Sequence, residues 1–186
     1  TLSPWLLNTM AADYHEQGHR LSKMRRVATG GAPVSRDNLI DFKAIAPQAE
    51  IWVLYGSTEV EPIAHIEAEE MLVLPNHASE DIEWVEDGVN VGHPVSTLRV
   101  KFLRIHTDPI EIQTKSDWAT LEVGTGEVGE LIVAGEHVCR DYYNNPEAFC
   151  RAKIRDTDGT IWHRTGDLAR LDDNGFLWMV GRVHNA

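Results

Sequence analysis

The sequence predicts an α/β fold: a partial doubly wound sheet segment followed by a small distorted β-barrel subdomain. Two patterns predict it. Residues 26–54 read strand, helix, strand at the spacing of a right-handed parallel crossover. From about residue 98 the chain changes to short strands punctuated by regular turns, the pattern of a small barrel or sandwich. Between them, residues 75–94 are polar and turn-rich and end in Gly92-His93-Pro94. The boundary is placed there, which gives an α/β unit over 1–93 and a β-rich unit over 94–186.

The elements follow in order. Ser3 is a helix cap with Pro4 at the first helical position. Leu6, Leu7, Met10, Ala11 and Tyr14 recur at helical spacing, and Gly18 ends the helix. A short strand over Arg26-Val27-Ala28-Thr29 runs into Gly30-Gly31-Ala32-Pro33. Ser35 caps the next helix, which carries Leu39, Ile40 and Phe42 and stops at Pro47. Glu50 to Leu54 form the second strand, leading into a loop at Tyr55-Gly56-Ser57-Thr58-Glu59. In the second half, Leu98, Val100 and Phe102 alternate with Arg99 and Lys101 at strand period. Gly124-Thr125-Gly126 turns the chain into Glu130-Leu131-Ile132-Val133, and Pro146 to Phe149 form a short helix. Asp172-Asp173-Asn174-Gly175 between two strand-like runs is a hairpin signal.

Composition narrows the function classes. With 42% hydrophobic residues the chain supports a core. No apolar run reaches the about 20 residues that span a bilayer. Seventeen Lys and Arg against 29 Asp and Glu give a formal charge of -12. That argues against nucleic-acid binding, which needs clustered cations. Cys139 and Cys150 make no disulfide framework and fit a reducing cytoplasm. Cys139 sits in a strand-like run and reads as a small core residue.

Four short stretches carry candidate chemistry. In Tyr55-Gly56-Ser57-Thr58-Glu59 the ring can stack on a base and the hydroxyls can bond phosphate oxygens. The Glu59 carboxylate can hold a metal ion that neutralises phosphate charge. Gly30-Gly31-Ala32-Pro33 brings bare backbone to a strand end, where a ligand or an ordinary turn would use it. Ligands in parallel sheets sit beyond the carboxyl ends of strands, so Gly30-Gly31 and Tyr55-Gly56 can face one crevice. In Thr165-Gly166-Asp167 the carboxylate can accept both hydroxyls of a ribose, or simply form a turn. Arg182, after Gly181, can bond a ribose or phosphate, or stand as a surface arginine. His15 and His19, four residues apart, lack an evident third ligand and read as solvent-facing rather than as a zinc site.

Taken in this order, the motifs resemble those of the AMP-forming adenylating enzymes, the superfamily of acyl-CoA synthetases, luciferases and peptide-synthetase adenylation domains. Gly30-Gly31-Ala32-Pro33 resembles their glycine-rich loop, and Tyr55-Gly56-Ser57-Thr58-Glu59 their Y-G-x-T-E core. Glu130 to Gly135 with Tyr142-Tyr143-Asn144-Asn145-Pro146-Glu147 resembles the G-E-L…G-Y-x-N-x-P-E block. Arg164-Thr165-Gly166-Asp167-Leu168 through Gly181-Arg182 resembles the T-G-D…G-R block. The resemblance implies that Tyr55 stacks on adenine, Thr58 contacts phosphate and Glu59 holds Mg²⁺. It gives Asp167 the ribose hydroxyls with Arg182 nearby. Gly30, Gly31, Ala32, Gly56 and Ser57 would line the nucleotide and acyl pocket.

The resemblance implies an ATP-dependent, AMP-forming ligase that activates a carboxylic acid, with a fatty acid expected from Pro62-Ile63-Ala64, and passes it to a thiol, expected to be coenzyme A. The rival expectation is a non-catalytic nucleotide-binding or structural module of the same descent. Two positions depart from the family pattern: Asp141 stands where glycine is common, and His184 where an acidic hinge residue is usual. The family's phosphate loop and its distal lysine are not found in the sequence, so the chain is expected to be one piece of a larger synthetase. On its own it is then expected to be inactive: ATP–pyrophosphate exchange by isolated residues 1–186 should be undetectable, and robust exchange would overturn this.

Overall fold

The computed structural model describes residues 1–74 and 88–185. The first of these ranges holds the predicted α/β pattern. Helix α1 (Pro4–Glu16) begins where Ser3 accepts the Leu6 N–H, and it ends at Gln17 before Gly18, whose φ of 65° suits glycine. Helix α2 (Arg36–Ile45) is closed by a reciprocal pair: Asn38 N–H donates to the Ser35 hydroxyl, and Ser35 N–H to the Asn38 side chain. Leu7 and Ala11 of α1 and Leu39, Phe42 and Ile45 of α2 fill one core with Val27, Ile51 and Val53 of the sheet.

Strand β1 (Arg26–Gly30) runs parallel to β2 (Glu50–Ser57), in register from Arg26↔Glu50 to Gly30↔Leu54. The parallel pairing of the two strands around α2 is therefore as the sequence predicts. The stretch at 55–57 is different from the prediction. Tyr55, Gly56 and Ser57 continue β2 rather than forming a loop, and only Thr58 and Glu59 turn into the antiparallel β3 (Val60–Glu67). Pairing of Tyr55 with Ala64 and of Ser57 with Val60 extends the strand, with a register shift between them at Gly56. A Cβ on Gly56 would lie 2.8 Å from the Val60 carbonyl oxygen, so glycine is required for that close approach. Helix α3 (Ala68–Val73) follows. Strand β5 (His93–Pro94) completes the first sheet, in the order β1-β2-β3-β5.

The second sheet takes β4 (Val89–Asn90), β6 (Leu98–Leu103), β7 (Gly129–Gly135), β9 (Ile161–Leu171) and β10 (Leu177–Arg182), in the order β4-β10-β9-β7-β6. Strand β8 (Lys153–Arg155) pairs with β9. Among the described residues this sheet does not close on itself; β4 and β6 are its edges. Among the described residues the β-rich half is thus an open antiparallel sheet. Helices α4 (Asp117–Leu121) and α5 (Pro146–Ala152) sit in its connections. The β9–β10 hairpin turns through Asp173, Asn174 and Gly175: Asp172 N–H bonds Phe176 O, Gly175 N–H bonds Asp172 O, and Gly175 has φ 81°.

The chain crosses between sheets near the predicted boundary, of which residues 75–87 lie outside the described residues. β4 belongs to the second sheet, β5 to the first and β6 to the second again. A Cβ on Gly92 would fall 1.9 Å from the His65 carbonyl oxygen, so glycine lets the crossing backbone lie flush on β3. Cys139 differs from its prediction: it follows β7 in a loop, half-exposed, with its thiol donating to the Asp141 carbonyl. The strand ends at Gly135, so the residue never reaches the core.

Strands β7 and β9 are clamped by Glu130 and Arg164, whose side chains are 2% and 8% exposed. Arg164 meets both carboxylate oxygens through Nε and Nη2, and its remaining donors bind the carbonyls of His106 and Asp108. Removing one partner of such a pair strands the other's charge, so Glu130→Gln should lower stability by about 3–5 kcal/mol in urea denaturation. The double change Glu130→Leu with Arg164→Met should recover most of that loss.

Candidate functional site

Tyr55, Asp167 and Arg182 come together from three strands. The Tyr55 ring leaves β2 and packs on the apolar layer between the sheets, and its hydroxyl donates to Asp167 Oδ2 at 2.7 Å. Asp167 sits at the kink of β9, where Gly166 takes φ 72° and the Asp167 N–H bonds the Thr165 hydroxyl. Thr165 in turn donates to the Leu131 carbonyl, which anchors the kink to β7. Arg182 pairs across the hairpin with Asp167 and brings Nε to 3.2 Å from Oδ1. Burial, then the Asp167 charge, pushes the Tyr55 phenol far up, so the hydroxyl stays protonated and serves as a donor. Residues 112 positions apart are thereby joined at one point.

Glu59 stands at the turn that leaves β2. Its Oε1 accepts the Tyr142 hydroxyl at 3.0 Å, and its backbone carbonyl accepts the Cys139 N–H at 2.7 Å. Burial opposes ionisation of Glu59. Its own backbone N–H and the Tyr142 hydroxyl outweigh that, and the carboxyl is held below the usual range. Burial and the Glu59 carboxylate together raise the Tyr142 phenol. Behind Tyr142 lies Lys153, 2% exposed, with its ammonium 5.1 Å from the ring centre and donating to the Cys139 carbonyl. Burial lowers the Lys153 ammonium. His163, opposite Lys153 in the β8–β9 register, bonds the Ala152 carbonyl through Nδ1. Burial, then Lys153, pushes its imidazole down to about 4.

The other predicted site residues are placed around these two clusters. Gly30 ends β1 against Leu54 of β2, and Gly31 and Ala32 follow, exposed, with open space where a Gly31 Cβ would stand. Gly56 and Ser57 lie on β2 between Tyr55 and the turn, and Thr58 is exposed at its tip. His15 and His19 are exposed, and the described residues hold no group of three or more metal-ligating side chains. Tyr142, Lys153, His163 and Thr165 were not singled out by sequence reasoning. Tyr142 and Thr165 fall inside the recognised blocks, but nothing in the linear pattern pairs Tyr142 with Glu59, 83 residues away.

These residues fit a magnesium nucleotide. The Ser57 hydroxyl is buried next to the Glu59 turn, where it favours the ionised carboxylate of Glu59. A single ionised carboxylate is the protein contribution Mg²⁺ commonly takes when phosphate oxygens and waters supply the rest. Asp167 keeps acceptor capacity beyond its bonds to Tyr55 and Arg182, as a ribose diol requires.

The family model for AMP-binding enzymes matches residues 1–143. An olefin beta-lactone synthetase of Stenotrophomonas maltophilia is 36% identical over 97% of this chain and 31% of its own length. Nonribosomal peptide synthetase 7 of Aspergillus fumigatus is 31% identical over 95% of this chain and 6% of its own length. The chain thus spans about a third or less of the curated relatives it matches. Among solved structures, VinN aligns with a TM-score of 0.71 at 21% identity over 97% of this chain and 38% of its own. A long-chain-fatty-acid-CoA ligase from Archaeoglobus fulgidus aligns at 0.67 and 20% identity, over 97% of this chain and 33% of its own. At these identities the structural likeness bears on fold alone.

His163 gives the site a testable pH signature. The native imidazole stays neutral to about 4, whereas in the unfolded chain it titrates near 6.5. Its contribution to stability is complete above pH about 6.5 and is lost on acidification towards pH 4, up to about 3 kcal/mol. His163→Asn, which can keep a donor for the Ala152 carbonyl, should flatten that part of the stability–pH profile measured by denaturation.

Proposed function

This chain belongs to the AMP-binding enzyme family, and from that premise we propose that it forms the adenylate-binding part of a synthetase that activates a carboxylic acid with ATP. The observation that carries the reading is the convergence of Tyr55, Asp167 and Arg182 at one point, with the Glu59 carboxylate, held below its usual range, four residues further along from Tyr55 at the turn that leaves β2. A ring, a diol acceptor, a cation and a metal-holding carboxylate are what an adenosine phosphate needs from one wall of a pocket. The predicted division near residue 93 belongs to the same reading: the first unit supplies Tyr55 and Glu59, the second Asp167 and Arg182.

In this reading Tyr55 offers its ring face to adenine while its hydroxyl remains tied to Asp167. Asp167 accepts the ribose hydroxyls, and Arg182 orients its carboxylate. Gly30, Gly31, Ala32 and Gly56 keep the pocket wall free of side chains that would crowd the nucleotide. Thr58 and Ser57 donate to phosphate oxygens, and Glu59 holds Mg²⁺, which when bound neutralises charge on the phosphates. An oxygen of the substrate carboxylate attacks the α-phosphorus, the bond to the bridging oxygen of pyrophosphate breaks, and the acyl-adenylate forms. Negative charge concentrates on the α-phosphate in that step, so donors held in place beforehand lower the barrier.

The acyl acceptor separates two readings. Coenzyme A is the acceptor the sequence resemblance implies. The 36% identity over 97% of this chain to an olefin beta-lactone synthetase supports a second reading. A lactone is an internal ester, so an oxygen of the substrate itself would then capture the activated carboxyl.

In the full-length protein, Asp167→Ala should raise KM for ATP at least tenfold in ATP–pyrophosphate exchange. Glu59→Gln should lower kcat by about 10²-fold or more. Unchanged kinetics in both would overturn the adenylation reading. Mass spectrometry of products from a panel of carboxylic acids, with and without coenzyme A, distinguishes a thioester from a lactone.

A further inference from the structure

We propose that Tyr142 is a positioning residue for the Glu59 carboxylate, held in place by Lys153 behind its ring and by Asp141 at its backbone. The inference rests on the reading of Glu59 as the Mg²⁺-holding residue and goes beyond it, because Tyr142, Lys153 and Asp141 have no role in that reading.

The geometry is a chain of contacts from the edge of the second sheet to the tip of the first. Glu59 lies on a two-residue turn, where a long side chain has several open rotamers. The loop after β7 removes that freedom at two points: Cys139 N–H bonds the Glu59 backbone carbonyl, and Tyr142 Oη bonds Glu59 Oε1. One hydrogen bond occupies one acceptor position of a carboxylate that has about four, so the rest remain for a cation. The loop is fixed from its own side. The Asp141 carboxylate accepts the Tyr142 N–H at 2.7 Å, which gives the aspartate at this glycine-rich family position a use. The Lys153 ammonium bonds the Cys139 carbonyl and stands over the Tyr142 ring, so one buried cation restrains the backbone and the ring that together grip Glu59.

A tyrosine suits this task better than water. Its hydroxyl is a neutral donor on a ring with two rotatable bonds, so it fixes the carboxylate without competing with the metal for its charge. It is not placed to touch the reacting phosphate in this scheme; it acts only through Glu59.

The test uses the full-length protein and Mn²⁺ as the probe, with binding read by electron paramagnetic resonance in the presence of a non-hydrolysable ATP analogue. Tyr142→Phe keeps the ring beneath Lys153 and removes only the hydroxyl. It should weaken Mn²⁺ binding about tenfold. In turnover it should raise the Mg²⁺ concentration needed for half-maximal rate by a similar factor, leave KM for the carboxylic acid unchanged, and recover at high Mg²⁺. A general folding defect would not recover in that way, so absence of recovery counts against the proposal. Lys153→Met should give a smaller loss in the same direction. If Glu59→Gln weakens Mn²⁺ binding and Tyr142→Phe does not, the positioning role is overturned while the metal reading stands. If Glu59→Gln itself leaves Mn²⁺ binding unchanged, the metal reading falls and the positioning role with it.

Discussion

Val60, Ile63 and Ala64 of the first sheet share an apolar layer with Leu98, Leu131, Val133, Ala169 and Leu177 of the second. Most of these side chains are wholly buried, and the layer is where the two sheets lock together. Its position dictates the site. Val60 is the first residue after the Thr58-Glu59 turn, so seating it in the layer brings Glu59 up to the loop that follows β7. Tyr55 packs on the same layer, which carries its hydroxyl to the kink of β9. Loss of apolar contact here would loosen both polar pairs at once, because each joins a residue of the first sheet to one of the second-sheet half.

The polar pairs are consequences of that layer, and each is satisfied in the way a partly dry environment demands. The Tyr55 hydroxyl meets a carboxylate that is itself countered by an arginine. The Tyr142 hydroxyl meets the Glu59 carboxylate, with Lys153 behind it. Glu130 and Arg164 do the same for the β7–β9 pair and recruit two loop carbonyls besides. In a chain of formal charge -12, the carboxylates that matter are those with a fixed partner rather than the many that face solvent.

Much of the local structure was legible because it depends on neighbours in sequence. Ser3 with Pro4, Ser35 at the start of α2, and Asn174-Gly175 between two apolar runs each act over a few residues, and each forms what its pattern predicts. The extension of β2 through Tyr55, Gly56 and Ser57 was not legible. A glycine followed by hydroxyl residues reads as a loop until β3 supplies a partner strand and Gly56 permits the close approach. Cys139 was misread for the converse reason: its flanking residues have strand character, but pairing stops at Gly135.

The order of the four motif blocks is a property of the sequence, and it alone was enough to indicate the family and the set of candidate ligands, because each block carries its residue types at fixed short spacing. Which of those residues meet is a property of the folded chain. Tyr55 and Asp167 are 112 residues apart and Glu59 and Tyr142 are 83 apart. No spacing rule operates over such distances. What brings them together is the burial of apolar side chains between two sheets, an attraction without direction that becomes specific only once strand register and close packing leave one arrangement.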